Sequence, residues 1–250
     1  MATSQSLQQT ETINGKRYYV IGKHKYPSVT TVLGSMTDSS GLDVWRKRVG
    51  EEEADRISKF SANRGTIMHQ MIEFYLGSTL ETNRERLREA QEKILEFVKE
   101  EGFSDEELEV GRRLFYSFYN NGLFNRISRV VSIEETLYSH QMGGYAGRVD
   151  NIYENTFSHL LILDFKTSRK QKKKDWIKNY FMQISAYFLA YWEMYGVKPN
   201  GGEIWIAVEN DEPQIFEVTW EEIKSYGKEF LSLVKKYHEL NPLPPEYIKK

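Results

Sequence analysis

The chain has 250 residues, 40% of them hydrophobic and 14% aromatic, enough to bury a substantial core and too apolar for general disorder. A formal net charge of -2 gives no global basic character, so a nucleic-acid partner would need a local basic surface. Cysteine is absent, which excludes disulfides, thiolate zinc sites, cysteine nucleophiles and iron–sulfur clusters together, and no apolar stretch approaches the ~18 residues of a membrane span.

The N-terminus is polar, carries no apolar signal-peptide core and is expected to be a flexible tail over residues 1–14, in a protein of the cell interior. A strand is predicted over 16–21 with a turn at Gly22-Lys23-His24-Lys25, giving an N-terminal hairpin. Pro27 is placed at or near the first turn of a short helix running to Leu33. Apolar spacing predicts helices over 42–59, 64–76, 83–101 and 106–120, the third of them washed by solvent. The period then changes to two, with strands over 128–139, 145–153 and 159–166. A long aromatic helix follows over 174–195, then a hairpin of 203–209 with 214–218. A closing helix over 220–240 is stopped by Pro242, Pro244 and Pro245. With no repeat and no linker, the order reads as one α/β domain over 1–250. A hairpin and helical part fills 15–125 and lies over a sheet-and-helix core at 126–240.

The most informative segment ends the third strand. After the apolar run Leu160-Leu161-Ile162-Leu163 come Asp164, Phe165 and Lys166. Strand alternation puts Asp164 and Lys166 on one face, and neither is cheap to bury unless paired or metal-bound. The neighbouring strand carries Gly147-Arg148-Val149-Asp150. Two acids on adjacent strands beside a lysine make a hard oxygen site for a divalent cation, with a cationic group to handle a phosphate or a water, the outline of phosphodiester hydrolysis. Arg148 is expected to point away from Asp150 and to be structural. The chain then runs Thr167, Ser168, Arg169, Lys170, Gln171, Lys172, Lys173 and Lys174, a basic stretch placed to guide phosphates into the site. Trp176, Tyr180 and Phe181 follow as candidates for stacking on single-stranded bases. Tyr180, Gln183 and Tyr187 share one helical face.

Taken in order, His69 in Arg64-Gly65-Thr66-Ile67-Met68-His69, Glu134 in the first strand, Gly147-x-x-Asp150, Asp164-x-Lys166-Thr167-Ser168 and Gln183-x-x-x-Tyr187 resemble the RecB-type branch of the PD-(D/E)XK nuclease superfamily. Within it the chain is similar to the mitochondrial genome maintenance exonucleases and their phage-encoded relatives, from about Pro27 to the final helix. The resemblance implies a restriction-endonuclease-like core: a mixed central sheet flanked by helices, with the helical N-terminal half over the cleft. It implies Asp150 and Asp164 as metal ligands with the Phe165 carbonyl as a third, His69 directed at the metal, and Lys166 orienting or activating water. Gln183 and Tyr187 would position Lys166 or contact DNA. Glu134 matches the strand glutamate, although its neighbour Glu135 stays open. Thr167, Ser168, Arg169, Lys170, Lys172, Lys173 and Lys174 would contact nucleic acid. The implied cofactor is one or two Mg²⁺ or Mn²⁺ ions, with no iron–sulfur cluster. The implied partner is DNA, single-stranded or with single-stranded ends, and no membrane. Without a Walker-type phosphate loop, any helicase or recombination partner would be a separate chain. The expected function is a DNA exonuclease of recombination, repair or replication-associated processing. The alternatives are an endonuclease or flap nuclease with the same site, or a DNA-binding module with a retired one.

Overall fold

The structure, a computed structural model, describes residues 10–36 and 40–243. Residues 1–9 of the expected tail lie outside it, but residues 10–13 do not belong to a tail: they form β1 (Thr10–Ile13). β1, β2 (Lys16–Ile21) and β3 (His24–Pro27) make a three-stranded antiparallel meander rather than a simple hairpin. The first turn is Asn14-Gly15, with φ of 51° and 73°, the two left-handed residues of a tight hairpin turn. Ser28, not Pro27, starts α1 (Val29–Met36); its Oγ accepts from Thr31 N at 2.9 Å.

The two helices predicted over 42–59 and 64–76 are instead α2 (Ser40–Val49) and the 26-residue α3 (Glu51–Leu76). The break falls at Gly50, whose φ of 89° no helix continues through, whereas residues 60–63 hold no breaker. α4 (Asn83–Glu101) and α5 (Asp105–Asn120) each begin with a capping box, Thr82 with Glu85 and Ser104 with Glu107.

The central sheet has the order β4-β5-β6-β7-β8, built from β4 (Ile127–Ser139), β5 (Tyr145–Asn155), β6 (Leu160–Ser168), β7 (Gly201–Val208) and β8 (Gln214–Val218). All neighbours are antiparallel except β6 and β7, which α6 (Lys178–Tyr195) connects as a parallel crossover. The sheet is therefore mixed and covered on both faces. α3 and α5 bury Tyr153, Leu161, Leu163, Phe165, Trp205 and Ala207; α6 and α7 (Trp220–Leu240) bury Leu137, Val149, Ile152, Ile162, Ile204 and Ile206. The N-terminal half does not all lie on one face, because α1 packs with α6 and α7. Buried glycines set the spacing of the layers. A Cβ on Gly202 would come within 2.4 Å of Ile184 on α6, and one on Gly111 within 2.5 Å of Ile67 on α3.

One irregularity positions everything that follows. Ile133 packs toward α3 and Leu137 toward α6, although period two would put both on one face. Between them Glu134 has φ 51° inside a strand, a costly conformation for a residue with a Cβ. Directly across, β5 reverses its faces as well: Val149 and Ile152, three apart, face the same core. The alternation of both strands resets where Glu134 meets Asp150.

Candidate active site

Asp150 stands where the sheet splits. The β5–β6 ladder runs from Glu154↔Leu160 to Asn151↔Leu163 and stops, so the next backbone donor of β6 loses its strand partner. Asp150 Oδ2 takes that place, accepting from Phe165 N at 2.7 Å. The carboxylate thus caps the opened edge and is held in the gap by the backbone of the Asp164-Phe165-Lys166 triplet itself. His69 arrives from α3, with Nδ1 3.6 Å from Asp150 Oδ2 and its ring edge-on to Phe165. Ligand atoms of His69, Glu134 and Asp150 all lie within 4.8 Å of one another. Of the two glutamates, Glu134 turns into this group, while Glu135 accepts from Tyr195 on the far side.

Asp164 and Lys166 share the α6 face of β6, and the Phe165 ring is buried against α3 and α5. Asp164 Oδ2 lies 2.5 Å from Lys166 Nζ, and Asp164 Oδ1, fully buried, accepts no hydrogen bond from any described residue. Lys166 Nζ also sits 5.2 Å over the Tyr180 ring. From the same helix Gln183 Nε2 donates to Tyr187 Oη at 3.1 Å, both residues lining the cleft. The glycine of Gly147-x-x-Asp150 has a steric reason: a Cβ there would meet Tyr187 Cε1 at 2.7 Å and Val29 Cγ2 at 3.1 Å.

The electrostatics describe a site short of positive charge. Desolvation pushes Asp150 up to about 6 against the pull of Lys166 and the Phe165 amide. It pushes Asp164 up to about 6 as well, against Lys166 and with help from Asp150. Glu134 rises to about 7 through desolvation and then Asp150, with Arg148 opposing. His69 moves the other way, to about 4, by desolvation and then by Lys166. Desolvation also pulls Lys166 down, but Asp164 and Asp150 outweigh it and leave its pKa raised. At neutral pH the imidazole is neutral and free to act as a ligand, and Lys166 is a cation rather than a base. A neutral imidazole, two crowded carboxylates and the orphaned Asp164 Oδ1 fit a small divalent cation.

Other expected residues fall variously. Thr167 lies next to Gly65 of α3, where a Cβ on the glycine would sit 3.8 Å from its Oγ1. Ser168 is buried, and its hydroxyl is committed to the turn, donating to Lys170 O at 2.6 Å. Arg169, Lys170 and Lys173 are exposed, Lys172 half-buried, and Lys174 paired with Glu222. Residues 174–176 form a separate 3-10 turn, so the helix begins at Lys178 instead of 174. Phe181 is fully buried and unavailable for stacking, whereas Trp176 is 65% exposed with Lys173 Nζ 5.3 Å from its ring. Arg148 does not point away: it pairs with Glu134 and lines the same cleft as Asp150, as residues two apart on a strand should. The cleft also receives Arg17, Tyr19 and Thr30 from the N-terminal segment, residues that belong to no motif of the chain. Asn14-Gly15 signals their hairpin, but nothing local signals its destination.

No curated protein matches the chain significantly. Among solved structures it is similar to a "Putative exonuclease" from Eubacterium rectale, at 15% identity and TM-score 0.46, over 71% of this chain and 65% of that one, less than two thirds of its length. It is also similar to the protein SSO0001, at 16% identity and TM-score 0.37, over 72% of this chain and 86% of that one. The family model of the PD-(D/E)XK nuclease superfamily matches residues 40–243, the whole central sheet and every residue of the cluster. The chain is therefore a member of the PD-(D/E)XK nuclease superfamily.

Proposed function

We propose that the protein is a divalent-metal-dependent DNA exonuclease of the RecB-like branch, using Mg²⁺ or Mn²⁺ and acting on single-stranded DNA or single-stranded ends in recombination, repair or replication-associated processing. The observation that carries the reading is the convergence of His69, Glu134 and Asp150 within 4.8 Å, beside the Asp164–Lys166 pair. When bound, the cation neutralises phosphate charge, acidifies the attacking water and stabilises the leaving oxygen. His69, Glu134 and Asp150 would hold it, with Asp164 Oδ1 and the Phe165 carbonyl as further oxygen donors; magnesium needs only one or two protein carboxylates and keeps water for the rest.

The remaining work falls to this chain's own groups. Lys166, protonated at neutral pH, donates to water or to a phosphate oxygen and counters the charge that develops on it. Tyr180, whose ring lies 5.2 Å under its ammonium, limits where that charge can go. Trp176, exposed next to Lys173 at the edge of the basic stretch, supports the single-strand preference, since base stacking is worth about 1–3 kcal/mol per base and needs unpaired bases.

The test is incubation with Mg²⁺ or Mn²⁺ and DNA labelled at either end: linear or circular, single- or double-stranded. Shortening of linear single strands from a labelled end, with circles intact, is the expected result. Cleavage of the circle would replace the exonuclease reading with an endonuclease. Equal cutting of blunt duplex and single strand would remove the strand preference, and inertness on every substrate would leave a binding module.

A further inference from the structure

The cleft that holds Asp150, Asp164 and Lys166 has a second wall to which no catalytic role falls. Arg17, Tyr19, Ser28 and Thr30 of the N-terminal segment join Thr136 and Arg148 of the sheet to close a cavity of about 410 Å³ with the acidic side. This wall is anchored to the body. Tyr18, buried one residue from Arg17, shares a 3.0 Å hydrogen bond with Tyr237 of α7. Ser28 N donates to Arg17 O at 3.2 Å, and Ser28 bridges to Ala146 at the start of β5. The meander is thus fixed against the strand that carries Arg148 and Asp150, and the wall it builds is a fixed surface.

The two walls are chemically opposite. One carries the carboxylates; the other presents several hydroxyls and two guanidiniums, that of Arg148 paired with Glu134 and that of Arg17 without an acid lining the cavity beside it. Tyr19 is buried, its hydroxyl raised in pKa by burial with Arg17 and then Arg148 opposing, and both arginines line the same cavity. Arg17 is exposed, lies 5.6 Å from the Tyr19 ring and, among the described residues, its side chain donates to Thr30 Oγ1 at 3.5 Å. Among the described residues no carboxylate forms a salt bridge with it. An arginine held beside an acidic site, left without an acid of its own and flanked by hydroxyls, is a group set for a phosphate oxygen.

We infer that the N-terminal meander forms a phosphate-binding subsite, in which Arg17 together with Arg148 holds a phosphodiester of the DNA strand adjacent to the one being cut. This rests on the nuclease reading and adds to it a register: the strand is gripped across the cleft from the metal side, so that Lys166 and the acids meet the neighbouring linkage. Phosphate contacts of this kind fix position and carry no sequence preference.

The test compares wild type with Arg17→Ala, Arg17→Gln and Arg17→Lys on a labelled single-stranded oligonucleotide, measuring KM, kcat and the dependence of affinity on salt. Arg17→Ala is expected to raise KM about tenfold with kcat changed by less than about twofold, and to flatten the slope of log affinity against log salt by about 0.7–1, the signature of one lost phosphate contact. Arg17→Gln should behave as Arg17→Ala, and Arg17→Lys should keep most of the slope. Lys224→Ala, on the outer face of α7, should leave every quantity unchanged. An unaltered KM and slope in Arg17→Ala would overturn the subsite, as would weakened binding with an unaltered slope, which marks a purely structural role. A wild-type protein that cuts no DNA would count instead against the nuclease reading.

Discussion

Glu203 and the acids at the β5–β6 split belong to the same sheet and behave in opposite ways. On the face covered by α5, Glu203 of β7 is 3% exposed and receives three donors: Arg126 Nη2 at 2.8 Å, Tyr153 Oη at 2.7 Å and Trp205 Nε1 at 2.6 Å. At the β5–β6 split, Asp150 has one backbone donor, Asp164 Oδ1 has none among the described residues, and Glu134 shares Arg148 in a strained backbone. Burial alone therefore does not mark a functional carboxylate. Glu203 is closed within the protein and cements β7 to β5 and to the segment before β4. The split-site acids are left under-satisfied, a state that costs stability and persists where an outside cation completes it.

The comparison makes mutations separable. Asp150→Asn should reduce nuclease activity by ~10³-fold or more while leaving thermal stability unchanged or slightly higher, since the amide oxygen can still accept from Phe165 N and a starved charge is removed. Cleavage assays and melting curves on the same preparation check both halves; full activity would sink the assignment of Asp150. Lys166→Ala should fall by about 10²–10³-fold, the range for losing one donor to a developing charge, with the protein still folded by circular dichroism. Glu203→Ala should do the reverse. Breaking a buried, hydrogen-bonded ion pair costs about 3–5 kcal/mol, a loss of roughly 6–20 °C in Tm for a chain of this size, with activity per folded molecule retained.

A smaller effect concerns pH and metal. Asp150 and Asp164 are raised to about 6 and Glu134 to about 7, above the unfolded range near 4, so the metal-free fold holds protons there that the unfolded chain has released. The stability these three groups contribute is present at acidic pH and lost as pH rises through 6–7. His69, lowered to about 4, contributes the opposite way: its share is present above about 6.5 and lost as pH falls toward 4. Three carboxylates outnumber one imidazole. A cation replaces the protons, so Mg²⁺ or Mn²⁺ should raise Tm more at about pH 8 than at about pH 5.5, measured against chelator. Equal stabilisation at both would contradict a site built on these acids. Smallest is Gly147→Ala, which forces Tyr187 or Val29 to move and should cost about 1–3 kcal/mol in a melting curve, with kcat falling in step as Gln183 and Tyr187 shift.

Much of this organisation was legible in the residues. The apolar run before Asp164, the alternation that places Asp164 and Lys166 together, and the Gln183–Tyr187 spacing on a helix are local patterns, and local patterns survive folding. Apolar spacing placed the starts of α4 and α5 to within a residue, where the structure shows capping boxes at Thr82 and Ser104. What failed did so for identifiable reasons. The Gly50 break was overridden by continuous apolar spacing on either side of it. Arg148 was misplaced relative to Asp150 through a misapplied alternation. The reversal of faces at Glu134 arises from a positive φ that no residue type announces. Ser168 and Phe181 looked available because composition does not report which way a side chain turns.

The sequence by itself determined the family, because acids, lysine, histidine and glutamine stand in order on elements whose periods can be read, and the family model spans residues 40–243. Only the tertiary structure decided how they meet. It ended the β5–β6 ladder at Asn151↔Leu163, so that Asp150 fills the gap with the Phe165 amide. It brought His69 across from α3, and it swung the N-terminal meander to the opposite wall with Arg17 and Tyr19. The physical reason is separation along the chain. More than 60 residues lie between His69 and Glu134 and over 100 between Arg17 and Arg148, and contacts at that distance are fixed by packing of whole elements, to which local propensity is blind.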